Sequence, residues 1–214
     1  MPTTLLLVRH AHTHANALDA TPRMAGWTDF PLSESGEEQL AQLARLQFPD
    51  AAPTLYASTL ERARRTAEVI AHGKTILAVR ALREICCGDV DGWPVARVEQ
   101  QHRELWERNL SQDDDDFRWP GGESYRELRQ RVLRAIRGIA SRHPEERVVV
   151  VTHTGVIAQL AGYATGVRPA AWERWRPGNG SVTTIEWTGG GGGSDAARLI
   201  DFDCRVHLAH PHGG

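Results

Sequence analysis

The stretch LLLVRHAHTHAN, residues 5–16, sets three histidines at alternate positions, His10, His12 and His14, directly behind Arg9 and a run of aliphatics. Two chemistries compete for it. Alternating histidines on an extended strand project to one face, so an H-x-H pair can hold zinc. A single imidazole can instead work on an anion without metal. The metal reading is the weaker of the two, because a fixed cation beside a dication costs energy and Arg9 precedes the set. No clear third and fourth ligands are offered elsewhere, since Asp113–Asp116 fall in an acidic run that reads as solvated. A metal-dependent (β/α)8 hydrolase also needs about 250 residues, more than the 214 present. Taken singly, His12 and His14 read as loop histidines lining or bordering a site, and His207, His210 and His212 as exposed tail residues.

A second histidine shares the layout of the first. LLLVRH ends in His10 and VVVVTH ends in His153, each an aliphatic strand followed by histidine and then a helix. In open α/β sheets ligands bind beyond the carboxyl ends of strands, near helix N-termini whose free N–H groups favour anions. Two imidazoles there, with Arg9 beside the first, outline an anion site. Phosphate is the obvious occupant, because guanidinium groups fork onto its oxygens. Arg62 supplies a further donor, about one helical turn beyond the strand end at Ser58.

The elements that must hold these groups follow from periodicity. Strands are expected at 3–8, 54–58, 75–79, 147–152, 181–187 and 197–203. Helices are expected from Ser35–Gly36 through Leu40, Leu43 and Leu46, over 59–72, over 94–110, over 124–143 with Ser124 as its cap, and over about 155–165. Strands alternating with helices argue for an α/β domain with a largely parallel sheet. TGGGGGSD (188–195) reads as a flexible hairpin loop and SQDDDD (111–116) as an acidic solvated one.

Bulk composition sets outer bounds. With 41% hydrophobic and 24% charged residues the chain is of the soluble globular type, and a net charge of −2 gives no pull toward nucleic acid or an acidic membrane. No signal-length or membrane-spanning apolar run is present, and three cysteines, two of them adjacent, make a poor disulfide framework. A cytoplasmic protein is expected. Oligomeric state is open, a homodimer being compatible with the sequence.

The chain resembles the histidine phosphatase superfamily, the phosphoglycerate mutase-like proteins. LLLVRHAHTHAN resembles its opening strand–Arg–His–Gly motif, with Asn16 six residues past the histidine. GWTDFPLSESG, YASTLERARRTAE, LREICCGDVDGW, WPGGES and VVVVTHTG are similar to the later motifs, in order and over most of the chain. The resemblance implies a three-layer α/β sandwich, a mostly parallel central sheet flanked by helices. It also implies a single domain over 1–206, a small helical cap at about 86–119 and a frayed tail at 207–214.

It further implies roles. His10 would be the nucleophile, forming a phosphohistidine; Arg9, Arg62 and His153 would clamp the phosphoryl oxygens, and Asn16 would add a hydrogen bond. Glu84 would protonate the leaving group and then deprotonate water, with neither metal nor cofactor. Two departures stand out: Ala11 and Thr154 replace the usual glycines after the two histidines. Ala11 adds one methyl group, and Thr154 is open between helix cap and phosphate contact. Arg65 is expected in structural ion pairs, Cys86 and Cys87 in packing, and Trp27, Trp93 and Trp119 in core or pocket wall.

The glycolytic mutases of this family carry an Arg- and Lys-rich segment where this chain reads ICCGDVDGW and SQDDDDFRW. An acidic wall would repel phosphoglycerate, which favours a phosphatase acting on a small phosphorylated metabolite with a neutral or weakly charged alcohol, sugar or nucleoside portion. The alternatives are a phosphoglycerate mutase, an α-ribazole phosphatase specifically and, from another class, a non-catalytic phosphoester-binding homologue. Binding alone would need neither nucleophile nor acid.

Overall fold

The computed structural model describes residues 2–16, 21–189 and 195–208. Six strands form one sheet: β1 (Thr3–Arg9), β2 (Thr54–Ser58), β3 (Thr75–Val79), β4 (Arg147–Thr152), β5 (Val182–Thr188) and β6 (Ala196–Cys204). Their order is β3-β2-β4-β1-β5-β6. The first four run parallel, while β5 and β6 are added antiparallel on one side, so the sheet is mixed. The α-helices among the described residues are α1 (Glu34–Leu43), α2 (Glu61–Ile70), α3 (Val95–Gln101), α4 (Arg103–Ser111), α5 (Tyr125–Ala140) and α6 (Thr154–Ala164); α1, α2, α5 and α6 pack on the sheet.

Side-chain alternation along the strands explains the layers. Leu5 and Leu7 of β1 and Val148 and Val150 of β4 face one way, into a cluster with Leu128, Val132 and Ile136 of α5 and Ile157 and Leu160 of α6. Leu6, Val8, Val149 and Val151 face the other way, against Leu40 and Leu43 of α1 and Ala63, Ala67 and Ile70 of α2. Strands buried on both faces can therefore read as unbroken aliphatic runs. The result is the three-layer sandwich the motifs imply.

A third apolar cluster, with Val90, Val98, Phe117, Trp119 and Tyr125, lies outside these two layers. The single helix expected over 94–110 breaks there into α3 and α4 at His102, whose backbone leaves helical geometry (φ −128°, ψ 46°) and whose ring packs on Trp93 at 5.8 Å. α1 stops at Leu43, and Leu46 follows in a turn packed on the same core. α5 begins as expected, with Ser124 and Glu127 in a reciprocal capping box.

Two local expectations need correcting. Asp115 is not a solvated carboxylate: it pairs with Arg126 and Arg168 and accepts the Ala170 N–H at 2.9 Å, its side chain 13% exposed. The tail is not frayed from 207 onward, since Val206–Leu208 form a 3-10 turn and the His207 ring bonds the Gly180 carbonyl at 2.8 Å. Residues 209–214, with His210 and His212, lie outside the described residues, as do residues 190–194, which hold most of the glycine run. No helix among the described residues is long and apolar enough to cross a membrane.

Candidate active site

The strand register builds the site. β1 and β4 lie side by side with Arg9 opposite Thr152, so the next residue of each chain, His10 and His153, emerges at the same rim. Their rings stand 5.0 Å apart and both are buried. β2 flanks β4 on its other side and ends at Ser58, whose Oγ meets His153 Nε2 at 2.7 Å. Sequence reading missed Ser58, although it occupies the strand-to-helix position that singled out the two histidines.

Hydrogen bonding distinguishes the nitrogens of each ring. His10 Nδ1 lies 2.7 Å from the Ala11 carbonyl, which can only accept, so Nδ1 carries the proton and Nε2 the lone pair. The backbone around it is fixed as well: His10 N–H bonds Thr152 O, Asn179 Nδ2 bonds His10 O, and Ala11 N–H bonds Thr66 Oγ1. His153 Nδ1, buried, has no partner among the described residues, and neither have the buried Nε atoms of Arg9 and Arg62. An orphaned buried donor costs about 1–3 kcal/mol, so three in one neighbourhood mark a place that awaits acceptors.

Arg62 is held from behind. Its guanidinium donates to the carbonyls of Thr28 (3.0 Å) and Gly26 (2.7 Å), and its side chain is 1% exposed. The loop carrying those carbonyls is tied down by one carboxylate: Asp91 accepts the N–H groups of Gly26, Trp27 and Thr28 at 2.9, 2.7 and 2.9 Å. Gly26 is required at this crossing, since a Cβ would come within 2.7 Å of the Ile85 carbonyl oxygen. Asp91 also went unsingled in the sequence. Its surroundings, DVDGW, look like an ordinary turn.

Glu84 sits at the N-terminus of α6. Its Oε2 accepts the Gly155 N–H at 3.0 Å and its Oε1 the Ile85 N–H at 2.9 Å. A side chain at 155 would collide, an added Cβ lying 2.2 Å from Oε1, so the glycine lets helix and carboxylate meet. Arg131 from α5 braces the segment, donating to the Ala81, Arg83 and Glu84 carbonyls while paired with Glu123 at 2.6 Å.

One cavity of about 460 Å³ includes Arg9, His10, Asn16, Glu84 and Thr154 in its lining, which does not include Arg62 or His153. Asn16 Oδ1 is engaged by Thr13. Thr154 opens α6, and His153 holds the cap position. His12 and His14 do not line the cavity: His12 turns to Ser33 Oγ at 2.7 Å and His14 is exposed. Among the described residues no group of three or more metal-type side chains comes together. Arg65 pairs with Glu37, and Cys87 is buried, its thiol pushed up first by burial and then by Asp91.

The expected acidic wall is not there. Asp113–Asp116 stay out of the cavity lining, Asp114–Asp116 being paired with Arg108, Arg126 and Arg168. The charges that do line the cavity are Arg9, Arg23, Arg118 and Arg176 against Glu84, Glu123 and Glu173. Repulsion of a charged substrate therefore gives no ground for separating mutase from phosphatase.

Burial, then the cations Arg62 and Arg9, hold His10 well below the ordinary histidine value of 6.5, and burial and Arg62 do the same to His153. Arg9 itself is lowered to about 10, chiefly by burial. Both imidazoles are therefore neutral in the folded protein near pH 7. Below about pH 6.5 the unfolded chain takes up protons that the folded one refuses, so stability must fall as pH falls. Urea unfolding should give a free energy that declines between about pH 6.5 and pH 5, by up to about 1.4 kcal/mol per pH unit for each buried imidazole, with His153→Gln removing one share. A flat profile in the unmodified protein would contradict buried neutral rings.

The comparisons with known proteins agree with this geometry. The model of the histidine phosphatase superfamily (branch 1) matches residues 5–198. A "Probable phosphoglycerate mutase GpmB" from Cronobacter sakazakii (strain ATCC BAA-894) is 32% identical over 184 residues, covering 85% of this chain and 83% of that one. Among solved structures, Bacillus stearothermophilus YhfR superposes with a TM-score of 0.82 at 31% identity, over 97% of this chain and 100% of that one. A mycobacterial glucosyl-3-phosphoglycerate phosphatase complexed with VO3 gives a TM-score of 0.80 at 26% identity, over 94% and 99% of the two chains. The chain belongs to the histidine phosphatase superfamily, branch 1.

Proposed function

We propose that this phosphatase is a metal-independent phosphomonoesterase working through a phosphohistidine at His10. The carrying observation is a neutral imidazole with Nδ1 tied to Ala11, Nε2 bearing the lone pair, and three orphaned buried donors on the neighbouring Arg9, Arg62 and His153. Nε2 attacks phosphorus, the ester bond breaks, and the leaving oxygen takes a proton from Glu84. Water then attacks the phosphohistidine, gives its proton to Glu84, and releases phosphate with His10 restored.

The donors act on the charge that moves to the phosphoryl oxygens. Ser58 accepts from Leu60 N at 3.3 Å, so its hydroxyl proton is available to His153 Nε2, which leaves Nδ1–H to face the anion. Asn16 has its oxygen turned to Thr13 and its amide left to donate into the cavity. Arg62 and Arg9 supply the cationic clamp. A reducing, cytoplasmic setting fits the three free thiols at Cys86, Cys87 and Cys204.

A mutase reading is favoured by one observation, the 32% identity to a relative named as a probable phosphoglycerate mutase. It is tested by incubating the protein with 3-phosphoglycerate and looking for 2-phosphoglycerate. The phosphomonoesterase reading calls for phosphate release and little isomer.

For the main reading, p-nitrophenyl phosphate should turn over undiminished in EDTA, and His10→Ala should abolish that turnover. Tight phosphate binding without turnover would favour a sensor instead. Glu84→Gln should slow alkyl phosphates roughly 10²–10⁴-fold while sparing p-nitrophenyl phosphate, whose leaving group needs no proton. An equal loss on all esters would remove Glu84 from the acid role. Asp91→Ala, which frees three loop N–H groups behind Arg62, should lower kcat/KM about tenfold or more, with Asp91→Asn intermediate, since it keeps one acceptor oxygen. Unchanged kcat/KM in Asp91→Ala would show that Arg62 is positioned without the loop.

A further inference from the structure

We infer that the side of the cavity away from His10 is a subsite for an aromatic or bulky apolar leaving group, so that the preferred substrates are phosphate esters of alcohols carrying such a group. This rests on the phosphomonoesterase reading for the position of the phosphate and names the substrate class of the same site.

The cavity that begins at Arg9 and His10 continues to a wall of five aromatic residues, Trp106, Phe117, Trp119, Tyr125 and Trp172. The phosphate chemistry uses none of them. At about 460 Å³ the space lies within the roughly 300–1,000 Å³ typical of pockets for drug-sized ligands, more than a three-carbon acid would fill. The rings brace one another: Phe117 meets Trp119 edge-on at 5.1 Å and stacks on Tyr125 at 5.9 Å, while Trp106 lies 6.4 Å from Trp119. Phe117, Trp119 and Tyr125 are buried, while Trp106 and Trp172 are half-buried and also line the cavity.

Most polar groups near the wall are already engaged, the buried Trp172 Nε1 being without a partner among the described residues. The Tyr125 hydroxyl donates to Asn109 Oδ1. Arg118 pairs with Glu127 at 3.1 Å, Arg176 with Glu173 at 3.6 Å, and Arg23 donates to the Gly92 carbonyl at 2.8 Å. Glu123 is held by Arg131. A substrate carboxylate or polyol would have to displace these partners, whereas a ring or alkyl group can pack on the accessible parts of Trp106 and Trp172, which the buried rings brace from behind, without breaking any of them. Rigid aromatic surface also loses little conformational freedom on binding.

The test uses ligands matched at the phosphorus end. Isothermal titration with propylphosphonate and 3-phenylpropylphosphonate reads the subsite without turnover, and kcat/KM for the corresponding phosphate esters reads it during catalysis. Their leaving-group alcohols are similar in acidity, so leaving ability does not confound the ratio. The phenyl compound should bind, and its ester react, at least tenfold better than the propyl one, and better than 3-phosphoglycerate. Trp106→Ala should shrink the phenyl-to-propyl ratio at least threefold, and Trp106→Phe should keep most of it. A ratio near one in titration, a ratio untouched by Trp106→Ala, or a preference for 3-phosphoglycerate would overturn the subsite. Failure of the hydrolytic reading is seen separately, as loss of all ester turnover with the phosphonate ratio still measurable.

Discussion

Everything in this site depends on the pairing of β1 with β4. Placing Arg9 opposite Thr152 puts the next residues, His10 and His153, at one rim with their rings 5.0 Å apart. Both strands are covered on both faces, so that rim is buried, and burial keeps the imidazoles neutral beside two arginines. Two charged imidazoles could not share this space with Arg9 and Arg62. A neutral pair can, and a neutral imidazole whose Nδ1 is tied to a carbonyl keeps its Nε2 lone pair for the nucleophilic role proposed for it.

Each group proposed for catalysis has a holder drawn from a distant part of the chain. Ser58 from β2 sets His153, Thr66 from α2 fixes the backbone at Ala11, and Gly155 admits Glu84 to the start of α6. Asp91 has the widest reach: it binds three consecutive N–H groups of the 26–28 loop, whose carbonyls grip Arg62. Preorganised donors of this kind cost no rearrangement when charge develops on a transferring phosphoryl group. The Glu84 segment is similarly pinned from α5 through Arg131.

The groups proposed to react were legible in the sequence because each lies at the end of an apolar run or in an ordered motif. His10 and His153 announce themselves by following LLLVR and VVVVT, and the strand ranges 54–58, 75–79 and 147–152 match those observed. What supports those groups was not legible, since Asp91, Ser58 and Thr66 act through contacts far apart in sequence and resemble any turn or helix residue. The aspartate run misled for a related reason. Charge counted along the chain predicted an acidic wall, but Arg108, Arg126 and Arg168 pair with those aspartates, which stay out of a lining that mixes both signs of charge with an aromatic wall. The 94–110 helix is interrupted at His102, where the backbone leaves helical geometry and the ring packs on Trp93, neither of which periodicity registers.

The central claim is that His10 Nε2 carries phosphorus between ester and water. Rapid quench of the protein turning over a phosphate-labelled ester measures it directly. The account predicts label on His10 that survives alkali and is lost in acid, and none in His10→Ala. Label on another residue, or turnover with no trapped label under conditions where hydrolysis of the intermediate is slowed, would contradict it.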